Sequence, residues 1–187
     1  LEVYITQSTD NQVKVQADEN LHELIKTEVK ENVLHIYTTE NLGKAEAKKV
    51  IVNFTDINTL KTSSGSSLTA TNTITVSQLA IEASSGSSIE LTANAQNVIW
   101  KASSGANIEL NGETNSIEIE ASSGSLVNAK NMLANNCETD ASSGSSIKLN
   151  CTNSINAESS SGSSIRYTGN PKRVNENKSS AGSISSN

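Results

Sequence analysis

A Ser-Ser-Gly-Ser-Ser pentapeptide, or a close variant of it, recurs along the chain at a nearly constant interval. Its glycines are Gly65, Gly86, Gly105, Gly124, Gly144 and Gly162, with Gly182 in a degenerate Ser-Ala-Gly-Ser. Successive spacings are 21, 19, 19, 20, 18 and 20 residues, and seven of the ten glycines fall on this lattice. A period of this length marks a repeat architecture in which each repeat is one small structural unit.

The flanks of the motif set the secondary structure. Before each glycine, apolar residues alternate with polar ones: Leu79, Ile81, Ala83; Val98, Trp100, Ala102; Ile117, Ile119, Ala121; Ile155, Ala157. After each glycine the alternation resumes: Ile89, Leu91; Ile108, Leu110; Ile147, Leu149, Cys151; Ile165, Tyr167. Period two predicts strands with one buried face, whereas a helix needs spacings of three and four. Each repeat therefore holds a strand, a Ser-Ser-Gly corner, a second strand and a polar connection. One such coil cannot bury its own apolar face, but a stack of coils makes a continuous core. The expected fold is all-β: a parallel β-solenoid of about 20 residues per coil. The absence of a strict hexapeptide signature favours a right-handed coil.

The corner glycines are expected to adopt positive φ, which glycine reaches without strain. The flanking serines would stack as ladders, and their small size would avoid collision between coils. Residues 1–62 lack the motif and read as irregular first coils and a cap. Within them LEVYITQ, NQVKVQA, NVLHIYT and KKVIVNF read as strands, and ADENLHELIKTEV as one short helical turn. Residues 63–169 form the regular coils. Residues 170–187, with the only proline, read as a last partial coil and a loosely ordered tail. The whole is expected to be a single domain.

Composition narrows the function classes. Net charge is −6, with no basic stripe to neutralise phosphates, which argues against a nucleic-acid partner. No apolar run approaches the roughly 20 residues that span a bilayer. The chain begins at Leu1 and reads as a mature or trimmed polypeptide with any export signal removed. Cys137 and Cys151 lie seven residues either side of Gly144, both in the inward phase. They fit buried small hydrophobes or a disulfide across one corner. Trp100 reads as core, against the alternative of a sugar-stacking platform.

Stacking turns every outward position into a column. Four residues before the glycines it reads Glu82, Lys101, Glu120, Asp140, Glu158, and six before it includes Glu118 and Glu138. These seven residues are the candidate binding face. Paired carboxylates at this spacing are the kind that bind Ca²⁺ or run acid–base chemistry on a polysaccharide, and a solvated face is the simpler reading. His22 and His35 lie outside the repeat and read as surface positions, so no Ser-His constellation forms. Thr71, Thr73 and Thr75 make a threonine row in one coil only. No cofactor, metal site or catalytic set is expected.

LEVYITQSTDNQVKVQADENLHELIKTEVKENVLHIYT, followed by coils of SSGSS, resembles the putative auto-transporter adhesin head domain family, also called the head GIN domain. That resemblance implies a β N-terminal portion leading into a solenoid similar to pectin-lyase-type helices, with no catalytic residues to carry over. It also implies an exported protein of the periplasm, outer membrane or cell surface, often a lipoprotein, that adheres to a glycan or a surface protein. The alternative is a polysaccharide-active enzyme using the acidic face around Glu118, Glu120, Glu138 and Asp140.

Overall fold

The computed structural model describes residues 1–40 and 48–187. Fifteen strands account for nearly all of its regular structure. The N-terminal strands are β1 (Glu2–Gln7), β2 (Gln12–Ala17), β3 (Ile25–Lys30), β4 (Val33–Thr38) and β5 (Lys48–Phe54). The coils run through β6 (Thr59–Thr62), β7 (Ser67–Ala70), β8 (Ile74–Ala83), β9 (Ser88–Ala102) and β10 (Asn107–Ala121). They continue through β11 (Leu126–Ala141), β12 (Ser146–Ser159), β13 (Ser164–Thr168), β14 (Arg173–Lys178) and β15 (Ser183–Ser186).

The expected parallel β-solenoid is the fold observed. From β6 and β7 onward each strand pairs in parallel with its equivalent one coil away. The long strands β9 to β12 contain two arms joined by a bend, so each coil has a first arm after the Ser-Ser-Gly corner and a second arm before the next. Ile89 pairs with Ile108, which pairs with Val127, then Ile147, Ile165 and Ile184. On the second arm Ile81, Trp100, Ile119, Thr139 and Ala157 stack in the same way. The inward residues of both arms form one hydrophobic cluster that extends from Ile5 to Ile184. Burial of each large aliphatic side chain contributes roughly 1.5–3 kcal/mol, which offsets the ordering entropy of a chain this polar.

Each corner is a four-residue turn closed from the residue after the glycine back to the first serine, as in Ser87 N–H to the Ser84 carbonyl at 3.1 Å. Both central residues are left-handed: Ser85 has φ 53° and Gly86 φ 69°, and the same pair of signs recurs at six further corners. Positive φ at both positions is the sign pattern of a type I′ turn. The positive φ expected at the corner glycines is observed, and one feature is added to that expectation. Positive φ extends to the serine before each glycine. A Cβ added to Gly86 meets nothing within 4 Å, so conformation and not collision selects glycine there.

The last corner is also offset from the sequence lattice. Ser180 and Ala181 carry the positive φ values, 45° and 63°, and Gly182 follows them. Ala181 therefore occupies the bend, and the interval from Gly162 is 19 residues. Gly182 takes the place of the inward serine, where a Cβ would run into the Ser159 carbonyl. The segment read as a loose tail is paired backbone: β14 stacks on β12 and β15 on β13.

At the other end β1 pairs in parallel with both β7 and β5, and β2 closes the sheet antiparallel to β5. The helical turn is a 3₁₀ segment, Glu19–Leu21, and β3 follows it with alternating Ile25, Thr27 and Val29. β3 and β4 form a separate hairpin.

Cys137 and Cys151 are joined in a disulfide, with Cα atoms 6.3 Å apart. It crosses the interior between the two arms that flank Gly144. Trp100 is fully buried, and its neighbour Ile99 is exposed.

Candidate functional site

The second arm carries every charged residue singled out from the sequence, all on its outward side. One column runs Glu82, Lys101, Glu120, Asp140, Glu158, each paired in register with the next. It begins one coil earlier, at Lys61 opposite Glu82. Unlike charges that stack directly form ion pairs: Lys61 Nζ to Glu82 Oε2 at 3.0 Å and Lys101 Nζ to Glu120 Oε2 at 2.9 Å. The hydrogen bond to Glu120, and then its charge, hold the Lys101 ammonium above the ordinary lysine range. Both pairs are about half exposed, where such contacts add little to stability.

Glu118 and Glu138 stack on each other in the neighbouring column, between Ile99 and Asn156. The four carboxylates of the expected acidic patch do come together, with Glu120 neutralised by Lys101. Among the described residues no group of three or more His, Cys, Asp or Glu side chains converges as metal ligands do.

A third column, two residues further from the corner, was not singled out from the sequence. It reads Gln78, Asn97, Ser116, Asn136, Ser154, Arg173, all in register. Its members bond to one another along the stack. Ser116 Oγ donates to Asn97 Oδ1 at 2.6 Å, and Ser154 Oγ donates to Asn136 Oδ1 at 2.7 Å. Asn175 Nδ2 donates to Asn156 Oδ1 at 2.7 Å in the adjoining column. The ladder is interrupted just before this column, at Ser77, Gln96, Asn115 and Asn135, and a hollow runs along the column. The result is a groove of about 890 Å³ running along the stack, lined by the amide and hydroxyl column, the Glu118 and Glu138 column, and the apolar Ile99 and Val174.

Chemically, the groove offers repeated donors and acceptors at the coil spacing of about 4.8 Å. It contains no nucleophile paired with a histidine: His35 lies on β4 in the separate hairpin, and His22 follows the 3₁₀ turn. The sequence signal for the groove is the eighth residue before each glycine, where amide and hydroxyl side chains recur. In the sequence alone these side chains look like any solvated outward position.

The family described as "Putative auto-transporter adhesin, head GIN domain" matches residues 1–171. A crystal structure of a putative adhesin from Bacteroides fragilis NCTC 9343 superposes with a TM-score of 0.93 at 21% identity, over 100% of this chain and 88% of that one. A putative adhesin from Parabacteroides distasonis ATCC 8503 gives 0.83 at 17% identity, over 100% and 89%. A putative lipid binding protein from the same strain gives 0.80 at 19%, over 100% and 88%. These structures share the fold. No curated protein matches the sequence. The chain belongs to this family, the putative auto-transporter adhesin head GIN domain family.

Proposed function

We propose that the protein is a non-enzymatic cell-envelope or surface protein that adheres to a glycan along the outward groove of the second arm. The observation that carries this reading is the in-register column Gln78, Asn97, Ser116, Asn136, Ser154 along the floor of a groove long enough for an extended polymer. Hydroxyl-rich chains are bound by arrays of amide and hydroxyl groups that exchange water for equivalent hydrogen bonds. The only tryptophan is buried in the core, so no indole stacks on a sugar ring. Each rung then contributes weakly, and affinity accumulates along the polymer.

The Cys137–Cys151 disulfide supports an exported location, because such bonds persist in oxidising compartments. No helix among the described residues is long and apolar enough to cross a membrane.

The test is retention of the protein on a panel of immobilised bacterial and plant polysaccharides, with release of new reducing or unsaturated ends followed in parallel. Retention without turnover, weakened at least tenfold by Asn97→Ala with Asn136→Ala, is the expected result. Turnover lost on Glu120→Gln and Asp140→Asn would replace adhesion with catalysis. Binding to surface proteins but to no polysaccharide would replace the glycan.

A further inference from the structure

The outward face of the first arm is organised differently from that of the second. Its central column reads Glu90, Glu109, Asn128, Lys148, Arg166, each paired directly with the next. Thr69 and Ser185 extend it at the two ends. The sequence of charges is therefore neutral, negative, negative, neutral, positive, positive, neutral. It changes sign about Asn128.

Like charges stacked directly on one another destabilise a sheet. The second arm relieves this in part, through the ion pairs Lys61 with Glu82 and Lys101 with Glu120, while Asp140 and Glu158, and Glu118 and Glu138, still stack acid on acid. On the first arm the two acids adjoin each other, as do the two bases. None of Glu90, Glu109, Lys148 and Arg166 makes an ion pair among the described residues. The column on one side of it is mostly small, Ser88, Asn107, Ser146 and Ser164, and on the other side of Asn128 the same coil exposes Lys130. The one large member of the small column is Leu126, 53% exposed, in the same coil as Asn128.

We propose that this face is an interface between two copies of the chain, related by a two-fold axis lying in the interface and parallel to β11 at Asn128. That operation reverses the stacking direction of the second copy and keeps the strands aligned. Glu109 then faces Lys148 of the second copy and Glu90 faces its Arg166, with the reciprocal pairs completing the set. The two Leu126 side chains meet at the axis. An isologous contact must be self-complementary, and a column that changes sign about its centre satisfies that condition. Aligned packing of two sheet faces is an ordinary arrangement. The face is about 30 Å tall at 4.8 Å per coil and about 15 Å wide. It buries on the order of 1,000 Å² in total, the small end for a specific interface, so the dimer is weak and depends on its charges.

The experiment is sedimentation equilibrium of the full chain at a few hundred micromolar. The wild type is expected as a dimer at about 20 mM salt and as a monomer at about 500 mM, where the Debye length has fallen to roughly 4 Å. Two variants decide the geometry. Glu90→Lys with Glu109→Lys makes the column uniformly positive, and Lys148→Glu with Arg166→Glu makes it uniformly negative. Each alone is expected to be monomeric at low salt. Mixed one to one, they are expected to form a heterodimer, which also shows that both are folded. A wild type that is monomeric at low salt overturns the proposal. So do single variants that remain dimeric, or a mixture that does not associate.

Discussion

The Ser145 hydroxyl donates to the Ala121 carbonyl of the preceding coil at 2.8 Å, inside the corner and away from water. Ser125 does the same to Ala102 at 3.1 Å, and Ser163 to Ala141 at 2.6 Å. One of the motif's serines is thus a buried tie between coils. The backbone completes the corner: Gly86 N–H donates to the Ser104 carbonyl one coil on, and Ser103 N–H to the Ala83 carbonyl. The strand ladder therefore continues around the bend.

Ser145→Ala is expected to cost about 1 kcal/mol, the net value of an ordinary hydrogen bond. The cost stays small because the Ala121 carbonyl still accepts from Ser142 N–H at 2.9 Å. Ala106 occupies the same position two motifs earlier, fully buried, so the site already tolerates a methyl group. Ala106→Ser is expected to be neutral or stabilising by up to about 1 kcal/mol. Urea denaturation of both variants measures the pair.

Gly86 and Gly112 should respond differently to alanine. At Gly86 there is open space and only the left-handed backbone to strain, so Gly86→Ala costs about 1–2 kcal/mol and Gly86→Asn less. At Gly112, with φ 117°, the added Cβ would run into the Ala93 carbonyl of the adjacent coil. Gly112→Ala therefore combines backbone strain with overpacking and is expected to cost about 3 kcal/mol or more. Thermal melts of the two variants rank them directly.

Removing the disulfide with Cys137→Ser and Cys151→Ser opens a loop with a sequence separation of 14 residues. A closed loop of about 15 residues is worth roughly 3 kcal/mol through the unfolded state, and the buried hydroxyls add to the loss. Denaturant titration with and without reductant checks this. Wild type plus reductant should approach the double variant, and reductant should leave the double variant unchanged.

A pH effect is expected at the C-terminal end. Tyr167 Oη donates to Glu176 Oε1 at 2.9 Å, and Lys178 Nζ lies 2.8 Å from Glu176 Oε2. The bond to Lys178 is the main cause holding the Glu176 carboxyl below its ordinary value of 4.5. A depressed carboxyl stabilises the fold at pH above the unfolded value, and that contribution is lost as pH falls through the folded one. Glu176→Gln is therefore expected to be less stable than wild type at neutral pH and to converge with it only in acid, once the pH has fallen through the depressed Glu176 value. Burial, with the Glu176 bond second, raises the Tyr167 hydroxyl, so its contribution is lost only in strong alkali.

The strands, the coil length and the inward set were legible because a period of two and a period of about 20 are physical requirements of a stack. Trp100, Ile119 and Ile147 could be placed inward from alternation alone. Three features were not legible, each for a reason. Gly182 looks like a corner because the eye follows glycine, whereas the turn follows backbone conformation and Ala181 adopts it. The phases of Cys137 and Cys151 say that both point inward, but not that the two arms bring them within bonding reach. Gln78, Asn97 and Ser116 look like solvated outward positions until stacking places them along one groove. The charged columns were legible as columns; that Lys101 neutralises Glu120 follows only from the register.

The most direct measurement of the adhesin reading is the side-chain amide spectrum of ¹⁵N-labelled protein titrated with a polysaccharide that retains it. The expected result is saturable shifts at Gln78, Asn97 and Asn136, in the groove, with Asn107 and Asn128 on the first arm unmoved. Shifts confined to the first arm, or none on the second arm at saturating polysaccharide, would contradict it.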